Sequence, residues 1–150
     1  MQLTAFVDER GAAASIDAFR GKIVILNLWA AWCVPCLREM PALDRLAERL
    51  PEDKYAVIAV NVDRGSPEVA KRSFGRLGLS RLKLYLDPAG KLSSEIGARG
   101  MPTTLILDAN GKPLSFREGA AEWDSEEVVA DMIALQRGML EPGARDHADD

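Results

Sequence analysis

Cys33 and Cys36 are the chain's two cysteines, and only Val34 and Pro35 stand between them. A pair this close suits three chemistries: a structural staple, part of a metal site, or a redox dithiol. A staple across so short a loop removes little freedom from the unfolded chain, so stability is a poor reason for it. Structural zinc needs four ligands, and no third cysteine exists; the one histidine, His147, lies in a polar terminal stretch. Dithiol–disulfide exchange needs only an accessible attacking sulfur and a second sulfur poised to resolve the mixed disulfide. The pair therefore points to redox chemistry, provided the fold holds one sulfur outward and the other behind it.

The flanking sequence supplies that arrangement. Lys22-Ile23-Val24-Ile25-Leu26-Asn27-Leu28-Trp29 is a nearly continuous apolar run, as expected of a central strand covered on both faces. After the cysteines, Met40, Leu43, Ala47 and Leu50 continue from Cys36 at steps of three or four, which predicts a helix with one buried face. Cys33 then falls at the helix N-terminus, where unpaired N–H groups and the macrodipole favour an anion and raise the thiolate fraction. Pro35 fits the first turn, where its missing donor costs nothing. Cys36 sits one turn further in, shielded. Trp29 and Trp32 read as packing residues framing the pair, and Pro41 as a structural kink in the helix.

A second apolar run, Tyr55-Ala56-Val57-Ile58-Ala59-Val60-Asn61-Val62, completes a βαβ unit with parallel strands and a right-handed crossover. Ser66-Pro67-Glu68 predicts an N-cap and first turn, with Gly78 ending that helix. Leu84-Tyr85-Leu86 is expected as a short edge strand. The runs 103–107 and 114–117 flank Asn110-Gly111, a hairpin signal. Asp124, with Glu127 three residues on, is expected to cap a last helix. Near the N-terminus, alternation around Arg10-Gly11 predicts a small hairpin followed by a turn of helix. The order implies a mixed α/β sheet with helices on both faces, a domain over residues 1–138, and a polar tail over 139–150 expected to be disordered.

With 150 residues, a net charge of -4 and a pI near 5.1, the chain lacks the basic surface a general nucleic-acid binder needs. No segment is long and apolar enough to span a bilayer. Met1-Gln2-Leu3-Thr4 lacks the regions of a signal peptide, which by itself points to the cytoplasm.

Trp32-Cys33-Val34-Pro35-Cys36, Pro41 inside the helix, and Gly100-Met101-Pro102-Thr103 before a hairpin resemble the thioredoxin superfamily. The run from Gly21-Lys22 to Ala42-Leu43 narrows the likeness to the TlpA branch, with ResA and the cytochrome c maturation thioredoxins; residues 56–63 and 119–123 extend it. The likeness covers roughly residues 3–137 and implies a thioredoxin-like fold with an N-terminal hairpin extension. It further implies that Cys33 attacks, Cys36 resolves, and a cis Met101–Pro102 bond packs against Cys33; by itself Pro102 would read as a loop breaker. Trp32, Val34, Pro35, Met101, Pro102 and Thr103 are the expected substrate-contacting residues.

Asn27 stands where thioredoxin carries a buried aspartate. Glu39 resembles the acidic residue that the TlpA/ResA branch uses near its cysteines, a reading that competes with an exposed helix-surface glutamate. Kinship implies a periplasmic, monomeric reductant, tethered by a membrane anchor absent from this sequence, with no cofactor and no bound metal. Its expected partners are disulfide-containing proteins of respiratory oxidase copper-site assembly or cytochrome c maturation, and a membrane electron donor of the DsbD/CcdA type. The Cys-x-x-Cys spacing does not fix the direction of exchange, so a disulfide-donating oxidase or isomerase stays open. A copper-binding assembly factor would want a histidine near the cysteines, and a binding module without turnover would not need both cysteines and Pro102.

Overall fold

The computed structural model describes residues 5–138. The two apolar runs form its centre. β3 (Ile23–Trp29) is buried along its whole length and pairs parallel with β4 (Tyr55–Asn61) in unbroken register from Ile23↔Tyr55 to Trp29↔Asn61. β5 (Leu84–Leu86) adds a third parallel strand beside β4. β6 (Thr103–Leu107) pairs antiparallel with β3 on its other side, and β7 (Pro113–Glu118) closes the hairpin predicted from Asn110-Gly111. The N-terminal hairpin, β1 (Phe6–Asp8) and β2 (Ala13–Ala14), extends the sheet through β1–β5 pairing, which makes β5 an interior strand rather than the edge strand expected. The sheet has seven strands in the order β2-β1-β5-β4-β3-β6-β7.

Side chains alternate along β3, and the core divides accordingly. Ile23, Ile25 and Trp29 face α1 (Val34–Arg49) and α4 (Glu126–Gln136), together with Ala70 and Phe74 of α2 (Glu68–Arg76). Val24, Leu26 and Leu28 face the other way, onto Leu92 and Ile96 of α3 (Lys91–Ile96) and Ile16 of a 3-10 turn (Ile16–Phe19). Helices thus cover both faces, and no helix among the described residues is long and apolar enough to cross a membrane.

Three local expectations are corrected. Ser125, rather than Asp124, caps α4: its hydroxyl accepts from Val128 N at 3.2 Å. Asp124 turns instead to Arg45 Nε at 2.6 Å, tying the start of α4 to α1. The second helix begins at Glu68 with Pro67 at its cap position, and the Ser66 hydroxyl supports Glu68 N from just outside. α3 was not foreseen. It is six residues long, and its cap comes from Asp87, whose carboxylate accepts from Leu92 N and Ser93 N. The polar tail, residues 139–150, lies outside the described residues, as does His147.

Candidate active site

The parallel strands β3 and β4 and the antiparallel β6 bring three loops to one end of the sheet. The chain leaves β3 at Trp29 and enters α1 at Val34; Cys33 occupies the N-cap in extended conformation (φ -98, ψ 104). Cys33 and Cys36 are joined in a disulfide, their Cα atoms 5.3 Å apart. The Sγ of Cys33 also accepts from Cys36 N at 3.2 Å, so a free N–H of the first turn of α1 is directed at this sulfur. The approach loop is pinned as well. Asp63, just past β4, accepts from Ala31 N at 2.9 Å and from Asn61 Nδ2 at 3.0 Å, which fixes the backbone two residues before Cys33.

The structure corrects the expected exposure of the pair: both cysteines are buried, and only a small difference separates them. Cys36 is fully buried, whereas Cys33 keeps 4% of its surface open. In the oxidised state Cys33 therefore presents only a sliver of surface. The projecting surface beside it belongs to Trp32 (72% exposed) and Val34 (56%), with Pro35 exposed next to them. Trp32 frames the site from outside. Trp29, in contrast, is wholly buried against Phe74.

The Met101–Pro102 bond is cis. Met101 is half-buried and packs on the core cluster that contains both cysteines. Pro102 is buried, and its carbonyl accepts from Gly119 N at 2.8 Å. Thr103 is buried too, its hydroxyl donating to Gly100 O at 2.7 Å, so its side chain is committed inward rather than presented to a substrate. Of this loop, Met101 offers the side-chain surface.

Glu39 is not a surface residue. One turn after Cys36 on the same face of α1, it is 4% exposed, which overturns the exposed-glutamate reading. Its Oε1 accepts from Trp123 Nε1 at 2.7 Å and from Ala121 N at 3.1 Å; its Oε2 accepts from Asn27 Nδ2 at 2.9 Å. Asn27 donates also to Thr104 Oγ1 at 3.0 Å, linking β3, β6 and α1. Burial pushes the Glu39 carboxyl above its ordinary value of 4.5, and it wins over the three hydrogen bonds and the nearby Arg117 charge, all of which pull down. A buried carboxyl raised in this way can hold or release a proton nearer neutrality than a surface one. Sequence reasoning missed Trp123 and Ala121 as its partners, since they stand 84 and 82 residues away in the chain.

A Cys-x-x-Cys disulfide at the tip of the helix after the central strand, at the same end of the sheet as a cis proline that opens the adjacent antiparallel strand, defines a thioredoxin-like redox fold. The Redoxin family model matches residues 2–131, and the chain belongs to that family. Within it the chain is similar to the thiol-disulfide oxidoreductases named ResA. It is 35% identical to that of Geobacillus thermodenitrificans over 70% of this chain and 59% of the relative. It is 30% identical to that of Halalkalibacterium halodurans over 85% of this chain and 70% of the relative. Thus the chain spans about three fifths of the Geobacillus protein's length. Among solved structures, the exposed lipoprotein thioredoxin Etrx1 of Streptococcus pneumoniae superposes with a TM-score of 0.75 at 26% identity, covering 91% of this chain and 98% of that one.

Proposed function

We propose that this chain is a thiol-disulfide oxidoreductase that reduces disulfides in other proteins. One observation carries the reading: the disulfide joins a slightly exposed Cys33 at a helix N-terminus to a fully buried Cys36. In the reduced enzyme, the Cys33 thiolate attacks one sulfur of a substrate disulfide. The S–S bond of the substrate breaks, a substrate thiolate leaves, and a mixed disulfide forms at Cys33. Cys36, once deprotonated, attacks the Cys33 sulfur. That closes the Cys33–Cys36 bond and expels the second substrate thiolate, so two electrons have passed to the substrate. In this proposal Glu39 takes the proton of Cys36 or tunes it, a role its burial one turn further along α1 supports. Trp32, Val34, Pro35 and Met101 provide the apolar surface on which the substrate chain rests, and the Pro102 loop aligns its backbone.

The likeness to ResA supports the reducing direction, and the lipoprotein relative supports an extracytoplasmic, membrane-tethered setting. In that setting the substrates are disulfide proteins of respiratory oxidase copper-site assembly or cytochrome c maturation. A membrane dithiol donor of the DsbD/CcdA type then returns two electrons to the Cys33–Cys36 bond.

Equilibration with glutathione redox buffers tests the direction. A reductant sits near the thioredoxin end of the scale, about -270 mV, whereas a value near the oxidant end, about -120 mV, makes the chain a disulfide donor. Substrates are identified by trapping with Cys36→Ser, which holds the mixed disulfide at Cys33.

A further inference from the structure

We propose that Trp123 is a positioning residue for this exchange: its indole N–H, from the loop before α4, holds the Glu39 carboxylate in the orientation that serves Cys36. The inference rests on the redox reading above and names a component that lies far from the cysteines in sequence.

The argument is one of donors and directions. A buried carboxylate has two oxygens to satisfy, and its rotation about the last side-chain bond is otherwise free. Here each oxygen is claimed from a different side. Asn27, on β3, donates to Oε2, while Trp123 and Ala121, across the end of the sheet, donate to Oε1. The Trp123 bond is the shortest of the three at 2.7 Å, and the indole itself is only 4% exposed, so the donor cannot swing away to water. Trp nitrogen is a donor only, and therefore cannot satisfy a protonated oxygen as well as an ionised one. Its presence selects the carboxylate and fixes its plane. The groups that act on Glu39 are neutral Asn27 on β3, Arg117 on β7, and Ala121 and Trp123 on the loop, while Cys36 precedes it by three residues, close to one turn, on its own helix. Arg117 acts through its charge, so Trp123 is the side chain that sets the geometry from that side.

The test removes the donor and keeps the ring. Trp123→Phe, and an isosteric replacement of Trp123 by benzothienylalanine, are compared with the unaltered protein and with Glu39→Gln. The Glu39 carboxyl is titrated by carbon NMR in the reduced protein, and the pH profile of Cys33 alkylation is recorded alongside. Loss of a hydrogen bond to a charged group changes the Glu39 ionisation constant about tenfold, moving its titration and the Glu39-dependent inflection of the profile up by about one pH unit. In a Glu39→Gln background the Trp123 change moves the profile no further. The proposal is overturned if the Glu39 titration is unmoved in both variants, if only thermal stability falls, or if the profile moves equally without Glu39. Should Trp123→Phe fail to fold, the isosteric variant decides alone. The carboxyl titration reads Trp123 even if the unaltered protein fails to reduce disulfides, so failure of the redox reading is seen separately.

Discussion

Two buried acids on one helix, five residues apart, have opposite characters. Glu39 and Asp44 both lie on α1 and both are under one-tenth exposed. Asp44 accepts four hydrogen bonds from one loop: Ser80 N, Ser80 Oγ, Arg81 N and Leu82 N, at 2.8 to 3.2 Å. Burial alone would raise its carboxyl, but these donors outweigh it and hold the group below its ordinary value of 3.8. Glu39 accepts three bonds in a deeper site, and there burial wins. The contrast separates a carboxylate used as a clamp from one whose burial favours the protonated form. Asp44 fastens the chain that leads into β5 onto α1, whereas Glu39, one turn after Cys36, joins α1 to β3 and to the loop before α4.

The comparison is broken most severely at Asp44. Asp44→Ala strands the N–H groups of Ser80, Arg81 and Leu82, and should cost about 2–3 kcal/mol in urea unfolding at pH 7 while leaving the pH profile of thiol reactivity in place. A shift in that profile would mean the clamp and the redox site are coupled.

Glu39→Gln should do the reverse. Its stability change should stay within about 1 kcal/mol, because Asn27 can turn its amide over and offer its unpaired Oδ1 to the new N–H groups. The pH profile of Cys33 alkylation should change shape, and an unchanged profile removes the proton role. The two acids should also leave opposite marks on the pH dependence of stability. Asp44, with a depressed folded value, contributes stability above the ordinary carboxylate range that is lost as pH falls below about 4. Glu39, with a raised folded value, is less unfavourable at low pH; that advantage disappears as pH rises from 4.5 through its folded value. Subtracting the curve of Glu39→Gln or Asp44→Asn from that of the unaltered protein isolates each slope.

The smallest effect is expected at Arg45. Its bond to Asp124 is short at 2.6 Å, but the arginine side chain is 59% exposed and water competes for it. Arg45→Ala should cost under about 1 kcal/mol, and less at high salt.

What the sequence discloses follows the range of the interactions. β3, β4 and the place of Cys33 at the cap of α1 with Cys36 inside its first turn rest on neighbours a few residues apart, so apolar runs and helical periodicity reveal them, whereas the burial of Cys33 does not show there. The cis Met101–Pro102 bond was expected only through family likeness, since nothing local demands it. α3 escaped because six residues give too short a period, and its cap, Asp87, stands four residues before its first residue. Asp124 read as a cap because Ser125 beside it is an equally good one, and Arg45, 79 residues away, settles which acts. Neither the burial of Glu39 nor the loop around Asp44 has a local signature. Both appear only when distant segments meet.

Alkylation of the fully reduced chain at pH 7, followed residue by residue with mass spectrometry, bears most directly on the redox assignment. Cys33 should be modified first and rapidly, with Cys36 protected until the chain unfolds. Equal or reversed rates, or a Cys33 that stays unmodified while the fold is intact, would contradict it.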